Sequence, residues 1–200
     1  YLSDSSTMAK LLESMGAKVV FDSHNSITID SSSLDSPFAS YDLVKTMRAS
    51  FYVLGPLIAK FGYAKVSLPG GCAWGPRPVD FHLEGLKALG VDIKIENGYV
   101  IASTKEMLGS KIHFPKISVG ATGNVVMAAV LANGVTTLSN AAAEPEIQQL
   151  CNMLNSMGAK IEGIGSNTLI IEGVESLDSI DKISVIPDRI EAGTFMIAAA

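Results

Sequence analysis

Three times along the chain a leucine-rich stretch with helical spacing runs into a glycine, and a pair of β-rich runs follows. The copies are "AKLLESMGAKVVFDSHNSITID" from Ala9, "EGLKALGVDIKIENGYVIAS" from Glu84 and "NMLNSMGAKIEGIGSNTLIIEG" from Asn152. Gly16, Gly90 and Gly158 close the helical parts. Glycine accepts the left-handed conformation that ends a helix, so each is a predicted helix stop. The polar turns "SHNS", "ENG" and "GSN" then split each β-rich stretch into a hairpin.

A second phrase follows each hairpin: "TMRASFYVLGPLIAKFGYAKVSL", "SVGATGNVVMAAVLANGVTTL" and "IPDRIEAGTFMIAAA". Each predicts a small-residue helix start and an apolar helix, and the first two run on through glycine into an alternating strand. Helices alternating with strands give an α/β class. The run Val125–Leu131 is apolar on all sides, which places its helix inside a core rather than on a surface. Three such units predict sheets arranged around central helices with pseudo-threefold symmetry.

Composition agrees with a substantial core: 48% of residues are hydrophobic and 18% charged. A net charge of −5 without a basic run predicts no nucleic-acid partner, while leaving room for small anions held by local cations. No apolar run approaches the roughly 18 residues of a membrane span, so no membrane partner is expected. Two cysteines, Cys72 and Cys151, make no disulfide framework and suggest a reducing compartment. Both ends fall within helical patterns, so the chain reads as a piece of a longer protein.

The repeats differ most after their strands. The second unit continues as "SNAAAEPEIQQL", with Pro145 at a helix start. The first continues as the longer "PGGCAWGPRPVDFHL", which carries Cys72, Trp74, Arg77, Asp80 and His82. Cys72, on a glycine loop five residues from an arginine, suits a nucleophile or proton donor, although a small buried hydrophobe is the commoner role of a free cysteine. Arg77, held between Pro76 and Pro78, suits a phosphate or carboxylate, or a surface turn. Arg48 opens a predicted helix against the helix dipole, which an anionic ligand or a salt bridge with Asp42 would explain. "KISVGATGNVV", from Lys116, predicts a strand-to-helix junction whose amides at Val119–Ala121 could cradle a phosphate. Cys151 is assigned to the core. The scattered His24, His82 and His113 give no metal spacing, and no glycine loop for a dinucleotide or nucleoside triphosphate is present.

Taken together, "LPGGCAWGPRPVDFHLEGLKALG", "MRASFYVLGPLIAKFG", "KISVGATGNVVMAA", "AAAEPEI" and "PDRIEAGTFMIAAA" resemble the UDP-N-acetylglucosamine 1-carboxyvinyltransferase family of enolpyruvyl transferases, along essentially the whole chain. The resemblance implies an inside-out α/β barrel of three repeated units with buried helices. Residues 1–185 would be most of a first domain, lacking its N-terminal segment, and 186–200 the start of a second. It implies transfer of enolpyruvyl from phosphoenolpyruvate to the sugar 3-hydroxyl, in the bacterial cytoplasm, without a cofactor or metal, and no turnover without the second domain. Cys72 matches the reactive cysteine, a general acid and the target of fosfomycin. Arg77, Pro78, Val79, Asp80 and Phe81 match the uridine-binding segment, with Phe81 where an aliphatic residue is commoner. Arg48 matches a nucleotide-sugar contact, and Lys116, Ile117, Ser118, Val119 and Gly120 match the diphosphate-binding junction. The rivals are the sister 3-phosphoshikimate 1-carboxyvinyltransferase, which lacks the GGC loop, and a non-catalytic domain that binds UDP-sugars.

Overall fold

The computed structural model describes residues 3–22, 26–69 and 79–199. In chain order it contains α1 (Ser3–Ser14), β1 (Lys18–Phe21), β2 (Ile27–Asp30), β3 (Phe38–Ala39), α2 (Tyr41–Val44), a 3-10 helix (Arg48–Val53), α3 (Leu54–Phe61) and β4 (Tyr63–Ser67). The second unit follows as α4 (Asp80–Ala88), β5 (Asp92–Glu96), β6 (Tyr99–Ser103), β7 (Lys111–His113), α5 (Val119–Ala129) and β8 (Val135–Ser139). The third comprises α6 (Pro145–Ser156), β9 (Lys160–Glu162), β10 (Thr168–Glu172) and α7 (Arg189–Ala199).

The helix–glycine–hairpin phrase folds as expected in all three copies. Gly16, Gly90 and Gly158 have φ of 100°, 88° and 96°, the left-handed conformation that stops a helix without a Cβ penalty. The sheets, however, do not respect the units. The order β3-β4-β6-β5 joins the parallel pair β3–β4 of the first unit to the antiparallel hairpin of the second. The order β7-β8-β10-β9 repeats the arrangement one unit later. Each hairpin thus completes the sheet begun by the unit before it. The short strand β3 has no counterpart in the sequence reading, because two residues give too little alternation to register.

Two inner helices form the core. Helix α3 packs on α5, and α5 packs on α4 and α6. Eight residues of α5 are buried, including Val125 and Val126, both at 0% exposure. Its glycines and β-branched residues lower helix propensity by roughly 0.5–1 kcal/mol each. Burying each valine recovers about 1.5–3 kcal/mol, so packing decides its conformation.

The third copy departs from the pattern. Helix α7 has no buried residue, and Phe195 and Ile197 are 67% and 81% exposed. It therefore adds nothing to the central helices, and its apolar residues face outward. The segment before it is held on α6: Gln149 donates to the Ser184 carbonyl and accepts from the Ile186 amide, and Arg189 grips Glu146 with two hydrogen bonds. The hairpin β1–β2 likewise stands as a separate two-stranded sheet, with Val20 and Ile29 more than half exposed. Among the described residues no helix is long and apolar enough to cross a membrane.

Candidate substrate-binding site

The N-terminal ends of the first inner helical segment and of α5 converge beside the start of α4. Met47 is extended, and Arg48 begins the 3-10 helix that runs into α3. The initial helix is thus 3-10 rather than α. Asp42, the proposed salt-bridge partner of Arg48, pairs with Lys45 at 2.7 Å.

Helix α5 is capped by Ser118, whose side chain accepts from the Ala121 amide at 3.3 Å while its carbonyl accepts from Thr122. This corrects the expected junction in two respects. The strand ends at His113, so Lys116–Ser118 lie in an irregular turn, and the Ala121 amide is already engaged. The amides of Val119 and Gly120 precede the first intrahelical bond and have no acceptor within their own helix.

Helix α4 begins after Val79 and directs His82, Leu83, Gly85 and Leu86 inward. His82 is 7% exposed, and its Nδ1 lies 3.0 Å from Asn124 Nδ2. The imidazole stands edge-on to Phe51 and Tyr52. Burial, reinforced by the Arg48 charge, lowers its pKa to about 4. Tyr52 lies across the bare face of α5, where a Cβ on Gly123 would come within 2.7 Å of its ring. Burial, and then the Glu146 carboxylate, raise the pKa of its phenol.

Arg48, Tyr52, Val79, His82 and Gly120 line a cavity of about 220 Å³. A larger one, about 440 Å³, lies at the opposite ends of α3 and α5 and is lined by Gly62, Thr104, Asn133 and Gly173 among others. The smaller is the better anion site. It sits at a helix N-terminus beside a guanidinium, whereas the larger faces helix C-termini, where the dipole repels anions.

The structure therefore brings Arg48, Val79 and Gly120 together, with Ser118 and Val119 on the adjoining turn. Asp80, Lys116 and Ile117 are exposed nearby in the chain. Phe81 stacks on Phe114 with ring centroids 6.0 Å apart, which fastens the start of α4 to the turn before α5. Cys72, Arg77 and Pro78 lie outside the described residues, as does Trp74. Tyr52 and Asn124 were not singled out from the sequence, and His82 stood there only as one of the residues of the first unit's long connection, without a role. A signal existed for two of them: His82 shares a helical face with Val79 and Leu86, and Asn124 interrupts an apolar helix. Cys151 is fully buried as expected, and burial pushes its thiol up to about 11. Among the described residues no cluster of His, Cys, Asp or Glu could hold a metal ion.

Comparison with known proteins gives these features a context. The profile of the family described as EPSP synthase (3-phosphoshikimate 1-carboxyvinyltransferase) matches residues 1–200. A UDP-N-acetylglucosamine 1-carboxyvinyltransferase of Vesicomyosocius okutanii is 56% identical over 200 residues, covering all of this chain and 48% of that protein. One from Chloroherpeton thalassium is 58% identical over 201 residues, again covering all of this chain and 46% of its own length. The chain spans about half the length of these curated relatives. Among solved structures, the enolpyruvyl transferase NikO from Streptomyces tendae superposes with a TM-score of 0.80 at 23% identity, covering 98% of this chain and 47% of its own. An EPSP synthase from Acinetobacter baumannii gives 0.67 at 16% identity, covering 88% and 40%. At those identities the structural likeness establishes the fold.

Proposed function

The chain belongs to the EPSP synthase family, and on that premise we propose that the complete protein carrying it transfers enolpyruvyl from phosphoenolpyruvate to the 3-hydroxyl of UDP-N-acetylglucosamine, releasing phosphate. The observation that carries this reading is the 51–58% identity, over the whole chain, to proteins named for that reaction. The sister activity on 3-phosphoshikimate is represented by solved structures at 16% identity. The GGC loop and the RPVD segment favour a nucleotide-sugar acceptor.

In the proposed mechanism the sugar hydroxyl gives its proton to a base in the further part of the complete protein as its oxygen adds to C2 of phosphoenolpyruvate, while a proton is delivered to C3. The resulting tetrahedral ketal loses phosphate and a C3 proton, which restores the double bond. Cys72 supplies the proton as general acid. Arg77 grips phosphate, and Pro78, Val79, Asp80 and Phe81 receive the uridine. Arg48, with Lys116, Ile117, Ser118, Val119 and Gly120, neutralises and hydrogen-bonds the diphosphate. Two polyanionic substrates require such local cations in a chain of net charge −5. Residues 1–185 would form most of the first domain and 186–200 the start of a second, against whose remainder the site closes. The outward apolar residues of α7 fit burial in that further part. The activity would serve cell-wall precursor synthesis in the bacterial cytoplasm.

The test is phosphate release by the full-length protein from phosphoenolpyruvate with either acceptor. Release with UDP-N-acetylglucosamine and none with 3-phosphoshikimate is expected. The reverse preference would refute the reading.

A further inference from the structure

We propose that Asn124 is a positioning residue that holds His82 as its Nε2–H tautomer, so that a neutral histidine donates a hydrogen bond into the Arg48–Tyr52–Gly120 cavity, to an anionic oxygen of the nucleotide. The nucleotide as recipient rests on the function proposed above. The tautomer follows from Asn124 alone.

The two ends of the Asn124 amide are distinguished by their partners. The Gly55 amide can only donate, so the Asn124 atom 2.6 Å from it is the oxygen. The Phe51 carbonyl can only accept, so the atom 3.0 Å from it is the nitrogen. That nitrogen has a second hydrogen, and its remaining neighbour is His82 Nδ1 at 3.0 Å. Nδ1 must therefore present a lone pair, because a proton there would set two donors against each other. A neutral imidazole carries one N–H, which falls to Nε2. The imidazolium, protonated at both nitrogens, is excluded by the same contact. The lowered pKa of His82 agrees with a ring that is uncharged at neutral pH.

Nε2 is turned toward the cavity. A Cβ placed on Gly120 would lie 3.0 Å from Nε2 and 3.8 Å from the Tyr52 hydroxyl, so the N–H stands over the bare first turn of α5. There it joins the Arg48 guanidinium and the leading amides of the helix. No carboxylate is among the described residues lining the cavity. A group of donors beside one cation selects an oxygen anion. Keeping His82 neutral adds a directed hydrogen bond without a second charge to desolvate beside Arg48.

The test uses the full-length protein with 15N-labelled histidine at neutral pH, and UDP as the binding probe. His82→Gln identifies the resonances. Nδ1 of His82 is expected in the unprotonated range and Nε2 in the protonated range. Asn124→Asp, whose carboxylate accepts from Nδ1–H, should move Nδ1 into the protonated range, which a merely structural change at Asn124 would not do. His82→Asn keeps a partner for Asn124 but loses the cavity donor, and should weaken UDP binding roughly ten- to a hundredfold. His82→Gln, which carries an N–H near the Nε2 position, should retain most of the affinity. A protonated Nδ1 in the unsubstituted protein overturns the tautomer assignment, whatever UDP does. Equal UDP affinity for His82→Asn and the unsubstituted protein overturns the donor role. If the tautomer is as assigned and UDP does not bind at all, the nucleotide reading fails and the Asn124 lock stands.

Discussion

Gly55 and Asn124 meet where the two inner helices cross. The Gly55 amide donates to Asn124 Oδ1 at 2.6 Å, and a Cβ on residue 55 would lie 2.3 Å from the Asn124 carbonyl oxygen. That oxygen is backbone and cannot turn aside. Gly55→Ala must therefore part α3 from α5, and a loss of about 3 kcal/mol or more is expected. It should appear as a lower urea midpoint with little change in slope. A shift below about 1 kcal/mol would show that the helices do not cross this closely.

His82 gives the fold a pH dependence whose sign is fixed. Its folded pKa, about 4, lies below the ordinary 6.5, so the unfolded chain binds the proton first as pH falls. The stability associated with a neutral His82 is complete above about 6.5 and lost progressively down to about 4, on the order of 3 kcal/mol in all. Unfolding free energies of the unsubstituted protein and of His82→Gln, measured across that range, should diverge by this step. Parallel profiles would show that His82 titrates normally.

Arg48 bears on the ligand and on the histidine together. Arg48→Ala is expected to weaken UDP binding at least about tenfold, with a smaller loss at high salt. It should also raise the pKa of His82 by removing a neighbouring positive charge, while burial still holds it below the ordinary value. Undiminished UDP affinity, or an unmoved His82 titration, would separate Arg48 from the cavity.

The two cysteines should differ sharply in reactivity. Cys151 is fully buried with its thiol pushed up to about 11, so almost no thiolate exists at neutral pH. With UDP-N-acetylglucosamine present, fosfomycin should label the full-length protein at Cys72 and leave Cys151 untouched, as peptide mass spectrometry would read. Cys72→Ser should abolish the adduct. Equal or slower labelling of Cys72 would refute the enzymatic proposal.

The sequence alone determined the local grammar of this protein. Helix stops at Gly16, Gly90 and Gly158, the hairpins after them and the buried character of α5 were legible because each depends on residues close in the chain: a left-handed glycine, a polar turn, an apolar run without a polar face. Arg48, Val79 and Gly120 were legible as candidates because each stands at a helix start or beside a marked motif.

Tertiary structure decided what lies between units. The hairpin β5–β6 joins the strand of the preceding unit because sheet partners are chosen by burial across the whole core, which local periodicity does not encode. α7 repeats the sequence phrase of the inner helices yet remains outside them, since a pattern specifies an apolar helix but not the surface that covers it. His82 and Asn124, 42 residues apart, become one hydrogen-bonded unit because α4 and α5 pack face to face. Chain order gives no sign of that contact, and a histidine tautomer is set by whichever atom packing places against Nδ1.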